Sequence, residues 1–154
     1  IQHMPYLYSY AGQPWKTQYW VRQIMERLYN STPDGFPGDE DQGGMSSWYV
    51  LSALGRYAVT PGTDQYVLGS PIFRKATITM EDGKQFVIEA KDNSKQNVYV
   101  AERSLNGQSI TRNYITYKEL VSGGILSLQM SDKPNKQLGT AKKDAPYSLT
   151  SDGY

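Results

Sequence analysis

The sequence predicts an α+β fold, with helices in the first third of the chain followed by a small antiparallel, sandwich-like lobe of strands. Two observations support this order. Apolar residues recur at helical spacing up to Leu54, and from Ala76 onward the apolar period changes to two. In addition, a loop rich in glycine, proline and acidic residues joins two segments in which apolar residues recur at helical spacing.

The first helical segments are delimited by glycine and proline. A short helix is expected to end at Ala11-Gly12, because glycine is the usual residue just after a helix. Pro14 suits the first position of a second helix, Trp15–Tyr29. The predicted buried face of this helix comprises Val21, Ile24, Met25 and Leu28. The positions predicted to face outward are Gln18, Arg22 and Arg27.

A third helix, Met45–Leu54, follows the acidic loop, and Gly55 is the residue expected just after its end. This segment has few polar positions and is therefore predicted to be buried on most sides. About sixty residues of this kind do not readily close a hydrophobic core on their own. We therefore interpret these helices as the last ones of a larger helical assembly.

The β region is delimited by turn dipeptides. Asp82-Gly83 and Asn106-Gly107 are strong signals for tight hairpin turns. The strands predicted in this region are 66–69, 76–80, 85–90, 97–105, a short return at 108–110, and 125–130. Tyr117–Val121 is predicted to form one helical turn, which Gly123-Gly124 ends.

These changes of pattern divide the chain into three parts. Residues 1–60 are expected to carry the helices and the acidic loop, and residues 61–131 the antiparallel lobe. Residues 132–154 lose periodicity and are rich in Lys, Asp, Pro, Ser, Thr and Gly, so an irregular or partly disordered tail is expected there.

Composition excludes several classes of function. The formal net charge is +1, which gives no electrostatic case for a nucleic-acid partner. No stretch approaches the roughly 18 apolar residues that a membrane span requires. Cysteine is absent and His3 is the only histidine, which excludes thiol chemistry and a zinc site built from several histidines. The chemistry left to this chain is that of carboxylates.

Carboxylates are concentrated in the loop Pro33–Gly44, which holds four glycines, two prolines and four acidic residues. If the loop is extended at Asp39 and Asp41, both side chains point the same way and Glu40 points the other way. The N-terminus of the following helix favours ionised carboxylates. Two neighbouring ionised carboxylates suit a general base or a cation ligand, and they suit a general acid poorly.

Two other interpretations of this loop were considered. Acidic residues just before a helix are common as N-caps, so helix capping is an alternative to catalysis. A calcium loop of the EF-hand type is rejected, because counting from Asp39 places Val50 at the twelfth position, where the bidentate glutamate is required.

The loop nevertheless resembles a known one. The run Gly38-Asp39-Glu40-Asp41-Gln42-Gly43-Gly44-Met45-Ser46-Ser47-Trp48-Tyr49-Val50 is similar to the acidic loop of the glycoside hydrolase family 92 α-mannosidases. Two further blocks resemble that family in the same order, Pro5-Tyr6-Leu7-Tyr8-Ser9-Tyr10-Ala11-Gly12-Gln13-Pro14-Trp15-Lys16-Thr17-Gln18 upstream and Gly69-Ser70-Pro71-Ile72-Phe73 downstream. The resemblance covers residues 1 to about 140 and implies the C-terminal fragment of a much longer α-1,2-mannosidase.

The resemblance implies a fold and a reaction. The helices would be the last ones of an (α/α)6 barrel, and the enzyme would be a calcium-dependent, inverting, exo-acting mannosidase acting on N-glycans or mannan. By position, Asp41 matches the general base and Asp39 its partner, and either could bind calcium directly or through water. The general acid and much of the metal site would lie in the remainder of the enzyme, N-terminal to this chain. The isolated fragment is therefore expected to be inactive.

The resemblance also suggests two sugar contacts and a compartment. His3 lies near a segment that the family uses around calcium, although a hydrogen-bonded helix histidine is an equal alternative. Trp48 is a candidate sugar-stacking platform, with burial in the core as its alternative. The family relationship points to a bacterial secreted, periplasmic or cell-surface enzyme.

A second hypothesis is a non-catalytic carbohydrate-binding or interaction module. The chain has 13 Tyr and 3 Trp, whose rings combine an apolar face with a polar tip. In that case the sheet would carry the binding function and the acidic loop would only cap a helix.

Overall fold

The computed structural model describes residues 2–152 and shows helices first and strands afterwards. A 3-10 turn, Met4–Tyr6, leads directly into the first helix. The helices are α1 (Leu7–Tyr10), α2 (Pro14–Leu28), α3 (Gly44–Ala53) and α4 (Tyr117–Val121). These bounds confirm the helices predicted from the sequence. Gly12 and Gly55 follow α1 and α3 with positive φ angles of 68° and 81°, the backbone conformation that favours glycine.

The strands form two sheets. They are β1 (Arg56–Tyr57), β2 (Gln65–Leu68), β3 (Lys75–Thr79), β4 (Gln85–Lys91), β5 (Tyr99–Leu105), β6 (Gln108–Ser109), β7 (Tyr114–Thr116) and β8 (Gly124–Ser131). The smaller sheet has the order β1-β2-β7 and the larger one the order β3-β4-β8-β5-β6. Both predicted hairpin turns are present, with Gly83, Asn106 and Gly107 at positive φ.

The larger sheet is mixed, so the prediction of an antiparallel lobe is wrong in one respect. β8 runs parallel to β4, in a register that pairs Phe86 with Gly124, and antiparallel to β5. Between β4 and β8 the chain passes through β5, β6, β7 and α4, and this long crossover connection allows β8 to lie parallel to β4, between β4 and β5. A period of two identifies a strand but carries no information about the direction of its neighbour.

Helix α2 packs against the β region through polar side chains. Gln18 and Arg22 are each 3% exposed, so the prediction that they face outward is wrong. The side-chain oxygen of Gln18 accepts a hydrogen bond from the Val100 backbone N–H at 2.9 Å. The acceptors of the Arg22 guanidinium are the Pro71 carbonyl (2.6 Å), the Asn93 side-chain oxygen (2.9 Å) and the Ser94 carbonyl (2.9 Å). Arg27 is exposed, as predicted.

Two groups of buried apolar residues form the core. One lies on the larger sheet and includes Phe86, Ile88, Val100, Leu126 and Leu128, together with Leu68 and Ile115 of the smaller sheet. The other joins the helices to β2 and comprises Tyr6, Val21, Met25, Trp48, Ala53 and Val67. Val67 therefore connects the small sheet to the helical side of the molecule.

The segment after β8 is irregular, with 3-10 turns at Lys142–Asp144 and Leu149–Asp152. It is nevertheless held against the β region, because Asp144 is 6% exposed and accepts a hydrogen bond from the Thr111 hydroxyl at 2.7 Å. The division at residues 60 and 131, the (α/α)6 barrel and the sandwich arrangement stay predictions. Within residues 2–152, no helix has both the length and the apolar character needed to cross a membrane.

Candidate active site

The acidic loop approaches α3 through a left-handed turn. Asp41, Gln42 and Gly43 have φ angles of 51°, 58° and 89°, so the condition of an extended backbone, from which a common direction of the Asp39 and Asp41 side chains was argued, is not met at Asp41. The turn closes with a hydrogen bond from the Gly44 N–H to the Asp41 carbonyl at 3.2 Å. The chain must reverse its direction just before the helix begins, and an extended strand cannot provide that reversal.

Glu40 is the residue of this loop that caps α3. Its Oε1 atom accepts hydrogen bonds from the Ser46 backbone N–H at 3.2 Å and from the Ser46 hydroxyl. Its carbonyl oxygen also accepts from the Met45 N–H at 3.1 Å. The capping interpretation therefore applies to Glu40, and it leaves the carboxylates of Asp39 and Asp41 outside the cap.

Asp39 and Asp41 line the same cavity, which has a volume of about 370 Å³ and lies between the acidic loop, α2, α3 and the N-terminal turn. Both residues are exposed, whereas Glu40 is half-buried against α3. The other lining residues are Gln2, Pro5, Ile24, Leu28, Tyr29, Pro37, Gly38, Met45 and Trp48. The two carboxylates thus lie at a cavity whose remaining wall is mostly apolar.

The aromatic part of this wall is built on Tyr29. Its ring stacks on Trp48 with a centroid separation of 5.6 Å and contacts Phe36 edge-on at 5.8 Å. Burial, followed by the negative charge of Glu40, raises the pKa of the Tyr29 hydroxyl, which therefore stays protonated at neutral pH. Trp48 is 1% exposed, and its indole N–H donates to the Gln2 carbonyl at 2.8 Å.

The structure separates His3 from the other candidate residues. His3 is exposed at the start of the N-terminal 3-10 turn, where its carbonyl accepts from the Tyr6 N–H at 2.9 Å, and it does not line the cavity. Its neighbours Gln2 and Pro5 line the cavity instead. Sequence reasoning missed Gln2, for which no motif gives a signal. It also assigned Tyr29 to no site, although the position just before the acidic loop was a usable signal.

The cavity offers few ligands for a metal ion. Within residues 2–152, no group of three or more His, Asp or Glu side chains is close enough to hold one. Asp39 and Asp41 are the acidic residues that line the cavity in this part of the chain. Carboxylate oxygens are the donors that a hard cation such as calcium prefers, but calcium takes about six to eight oxygens, so two residues fill only part of its shell.

Comparison with known proteins shows the family of this chain. The family model described as the glycosyl hydrolase family 92 catalytic domain matches residues 1–132. The chain belongs to this family. Membership agrees with the resemblance of the three sequence blocks and assigns the acidic loop to a family of glycoside hydrolases.

Relatives of family 92 include solved and curated proteins. The structure of the inverting mannosidase BT2199 from Bacteroides thetaiotaomicron VPI-5482 is 51% identical, with a TM-score of 0.92 over 97% of this chain. The α-mannosidase BT3965 from Bacteroides thetaiotaomicron is 38% identical, with a TM-score of 0.90 over 96% of this chain. An uncharacterized secreted glycosidase from the fungus Arthroderma benhamiae is 32% identical over 94% of this chain.

These relatives are much longer than the chain described here. It covers 20% of each of the two solved mannosidases and 19% of the fungal glycosidase. The chain therefore spans about one fifth of the relatives that it matches.

Proposed function

We propose that this chain is the C-terminal part of a calcium-dependent, inverting, exo-acting α-mannosidase and supplies the loop that carries the general base. The observation that carries the proposal is the placement of Asp39 and Asp41 on the wall of one cavity, outside the cap that Glu40 provides for α3. Family membership supports it, as does the similarity to two relatives, one an inverting mannosidase and the other an α-mannosidase.

In this mechanism Asp41 removes a proton from a water molecule as that water attacks the anomeric carbon of the mannoside. Asp39 orients the same water and adds negative charge beside it. An inverting enzyme needs its acid on the opposite side of the sugar, with the carboxyl groups roughly 6.5–9.5 Å apart. Both aspartates belong to one loop, so the general acid must come from elsewhere in the site; the family resemblance implies a glutamate from the part of the enzyme N-terminal to this chain. For this reason the isolated chain is expected to be inactive.

The other candidate residues have roles in binding. Tyr29, which is half-buried, provides the aromatic wall against which an apolar face of the sugar can pack, and Trp48, which is 1% exposed, supports this ring from the core and is not itself the stacking platform. His3, together with Gln2 beside it, lies on the side of the N-terminal turn, where additional parts of the enzyme would complete the site. Asp39 and Asp41 would hold calcium directly or through water; when bound, calcium supplies a hard cation that can fix two sugar hydroxyls.

The substrate class and the compartment follow the relatives. A homologous structure holds mannoimidazole, a mannose-type ligand, and we propose mannose-containing oligosaccharides, chiefly α-1,2-linked mannosides of N-glycans or mannan, as substrates. The fungal relative is described as secreted, and we propose a secreted, periplasmic or cell-surface enzyme of bacterial origin.

The test uses the full-length enzyme with the variants Asp39→Asn and Asp41→Asn and with Asp34→Asn as a matched control, because Asp34 is an exposed acid of the same loop that does not line the cavity. Release of mannose from α-1,2-mannobiose is measured, and the anomer of the first product is identified by NMR. Loss of a general base lowers turnover by roughly 10²–10⁴-fold. We expect β-mannose from the wild type, a loss of this size in Asp41→Asn, and normal turnover in the control. Near-normal turnover in both site variants would refute the proposed role.

A further inference from the structure

We infer that Glu40 is a positioning residue for Asp41, and this inference rests on the proposed function. The two residues are neighbours in the chain but face different surroundings. Asp41 is exposed at the cavity, whereas Glu40 is half-buried and bonded to the first turn of α3. Glu40 therefore acts on the reaction through the conformation of the loop and has no contact with the cavity itself.

Hydrogen bonds to α3 fix both ends of the left-handed turn, and the contacts of Glu40 fix the first end. At one end its carboxylate accepts from the N–H and the hydroxyl of Ser46, and its carbonyl accepts from the Met45 N–H. At the other end the Gly43 carbonyl accepts from the Ser47 N–H at 3.0 Å. Residues 41 to 43, which follow Glu40, all have positive φ, and Gly43 is itself the second anchor. The turn is thus closed by bonds to one helix on both sides.

Such a turn depends on these anchors. Asp41 and Gln42 are not glycines, and non-glycine residues occupy the left-handed region only where the surrounding structure determines their conformation. If the Glu40 carboxylate is removed, the turn can relax toward the commoner negative φ angles. The carboxylate of Asp41 then moves relative to the cavity. A displacement of about 1 Å in a reacting group can lower the rate by roughly 10²-fold.

Substitution of Glu40 can distinguish two contributions of its side chain to the position of Asp41, the hydrogen bond to Ser46 and the negative charge. The second carboxylate oxygen of Glu40, Oε2, is buried and has no hydrogen-bond partner within the described chain. Only Oε1 bonds to Ser46. A glutamine at this position keeps an acceptor oxygen for Ser46, whereas an alanine removes it. The two substitutions therefore separate the positioning bond from the negative charge.

The experiment measures kcat and KM of the full-length enzyme on an activated α-mannoside, with and without sodium azide. Azide is an anion that attacks the anomeric carbon without losing a proton, so it replaces the water and makes the general base unnecessary. The leaving alcohol is still protonated by the general acid, and the product is β-mannosyl azide. The variants are Glu40→Ala, Glu40→Gln, Ser46→Ala and Asp41→Asn, with Asp34→Ala as the control.

We expect Glu40→Ala to lower kcat by about 10–100-fold with KM nearly unchanged, because positioning of the base acts in the transition state. Azide should restore turnover in this variant and in Asp41→Asn, with formation of the azide adduct. Glu40→Gln should retain most of the wild-type kcat, and Ser46→Ala, which loses only the hydroxyl donor, should give an intermediate loss that azide also restores.

The outcomes separate this inference from the proposed function. If Asp41→Asn is fully active, the proposed function fails. If Asp41→Asn is impaired and azide restores it, but Glu40→Ala has a normal kcat or a loss that azide does not restore, the function stands and the positioning role is overturned. If Glu40→Ala does not fold, Ser46→Ala carries the test, and a wild-type kcat in that variant overturns the inference.

Discussion

The side-chain oxygen of Gln18 in α2 accepts a hydrogen bond from the backbone N–H of Val100 in β5, at 2.9 Å and across 82 residues of sequence. Both residues are buried, with exposed fractions of 3% and 2%. β5 is irregular just after Val100, where its register with β8 shifts between Val100 and Glu102. The helix that precedes the acidic loop is therefore tied to the sheet at a bulge.

Replacing Gln18 tests how much this bond stabilises the protein. Gln18→Leu removes the acceptor and leaves the Val100 N–H buried without a partner, which costs about 1–3 kcal/mol. The thermal midpoint of the full-length enzyme should fall. Gln23→Leu on the same helix is the matched control, because Gln23 is only half-buried and makes no side-chain hydrogen bond with the described residues. Equal midpoints for the two variants would show that the bond contributes nothing.

The position of Gln18 also shows where prediction from sequence fails. A polar residue beside an apolar stripe is expected to face water, and this expectation was wrong for Gln18 and for Arg22. Their acceptors and donors lie 49 to 82 residues further along the chain, in the segments around Pro71 and Val100. Local periodicity contains no information about such partners, because they are brought close only by the complete fold.

Features that depend on neighbouring residues were predictable. The ends of α1 and α3 follow from Gly12 and Gly55, and the hairpin turn between β3 and β4 follows from Asp82-Gly83, since each needs a local backbone conformation. The parallel pairing of β8 with β4 depends on a crossover and was not predictable. At the cavity, the acidic motif could be identified from the sequence, whereas the left-handed turn at Asp41 could not.

Gly55 is constrained both by its backbone conformation and by close contact with Pro71, and comparison with Gly62 separates the two effects. Both have positive φ, 81° and 87°, so alanine at either position costs about 1–2 kcal/mol in the left-handed conformation. A Cβ atom on Gly55 would also lie 2.9 Å from Cδ of Pro71, whereas one on Gly62 meets no atom within 4 Å. Overpacking of this kind adds typically about 1–3 kcal/mol.

We therefore expect Gly55→Ala to lower the thermal midpoint of the full-length enzyme clearly more than Gly62→Ala does. The Gly62 variant measures the backbone cost alone, and the difference between the two measures the contact with Pro71. If both variants unfold at the same temperature, the close approach of α3 to Pro71 is not a constraint on the fold.

The pair Arg112–Glu119 should make a part of the stability depend on pH. The guanidinium donates to both carboxylate oxygens, at 3.0 and 2.5 Å, and Glu119 also accepts from the Thr116 N–H at 2.8 Å in the capping box of α4. Burial alone would raise the pKa of Glu119, but the hydrogen bonds from Arg112 and Thr116 outweigh it and lower the pKa below its ordinary value of 4.5.

Because the pKa of Glu119 is lower in the folded state, its contribution to stability is present above about pH 4.5 and is lost as the pH falls through the folded pKa. Arg112→Met should lower stability near pH 7 by about 0.2–1 kcal/mol, since the pair is partly exposed, and the difference from the wild type should shrink in acid. Thermal midpoints between pH 3 and 7 measure this, with Lys118→Met as the control of equal charge change. If the thermal midpoints of Arg112→Met and the wild type differ by the same amount at pH 7 and pH 3, the ionised Glu119 is not the source of the pH-dependent stability.

Removal of calcium is the last test, and it examines the ligand role of this chain. Asp39 and Asp41 provide exposed carboxylate oxygens on the wall of the cavity, which suit a hard cation. A chelator should therefore abolish mannose release by the full-length enzyme, and added calcium should restore it. A cation that binds only the folded protein also raises its thermal midpoint as the cation concentration increases. Magnesium should restore less of the mannose release than calcium does, because magnesium requires a small octahedral shell and loses its bound water reluctantly.

The thermal midpoint provides a readout that is independent of catalysis. In Asp39→Asn one charged ligand is replaced by a neutral amide, so the calcium concentration that gives half of the rise in midpoint should increase by at least about tenfold, equivalent to 1.4 kcal/mol of binding free energy. Asp34→Asn, which changes the charge of the same loop away from the cavity, should leave this concentration unchanged. If Asp39→Asn titrates as the wild type does while turnover is lost, then Asp39 acts in catalysis alone and is not a calcium ligand.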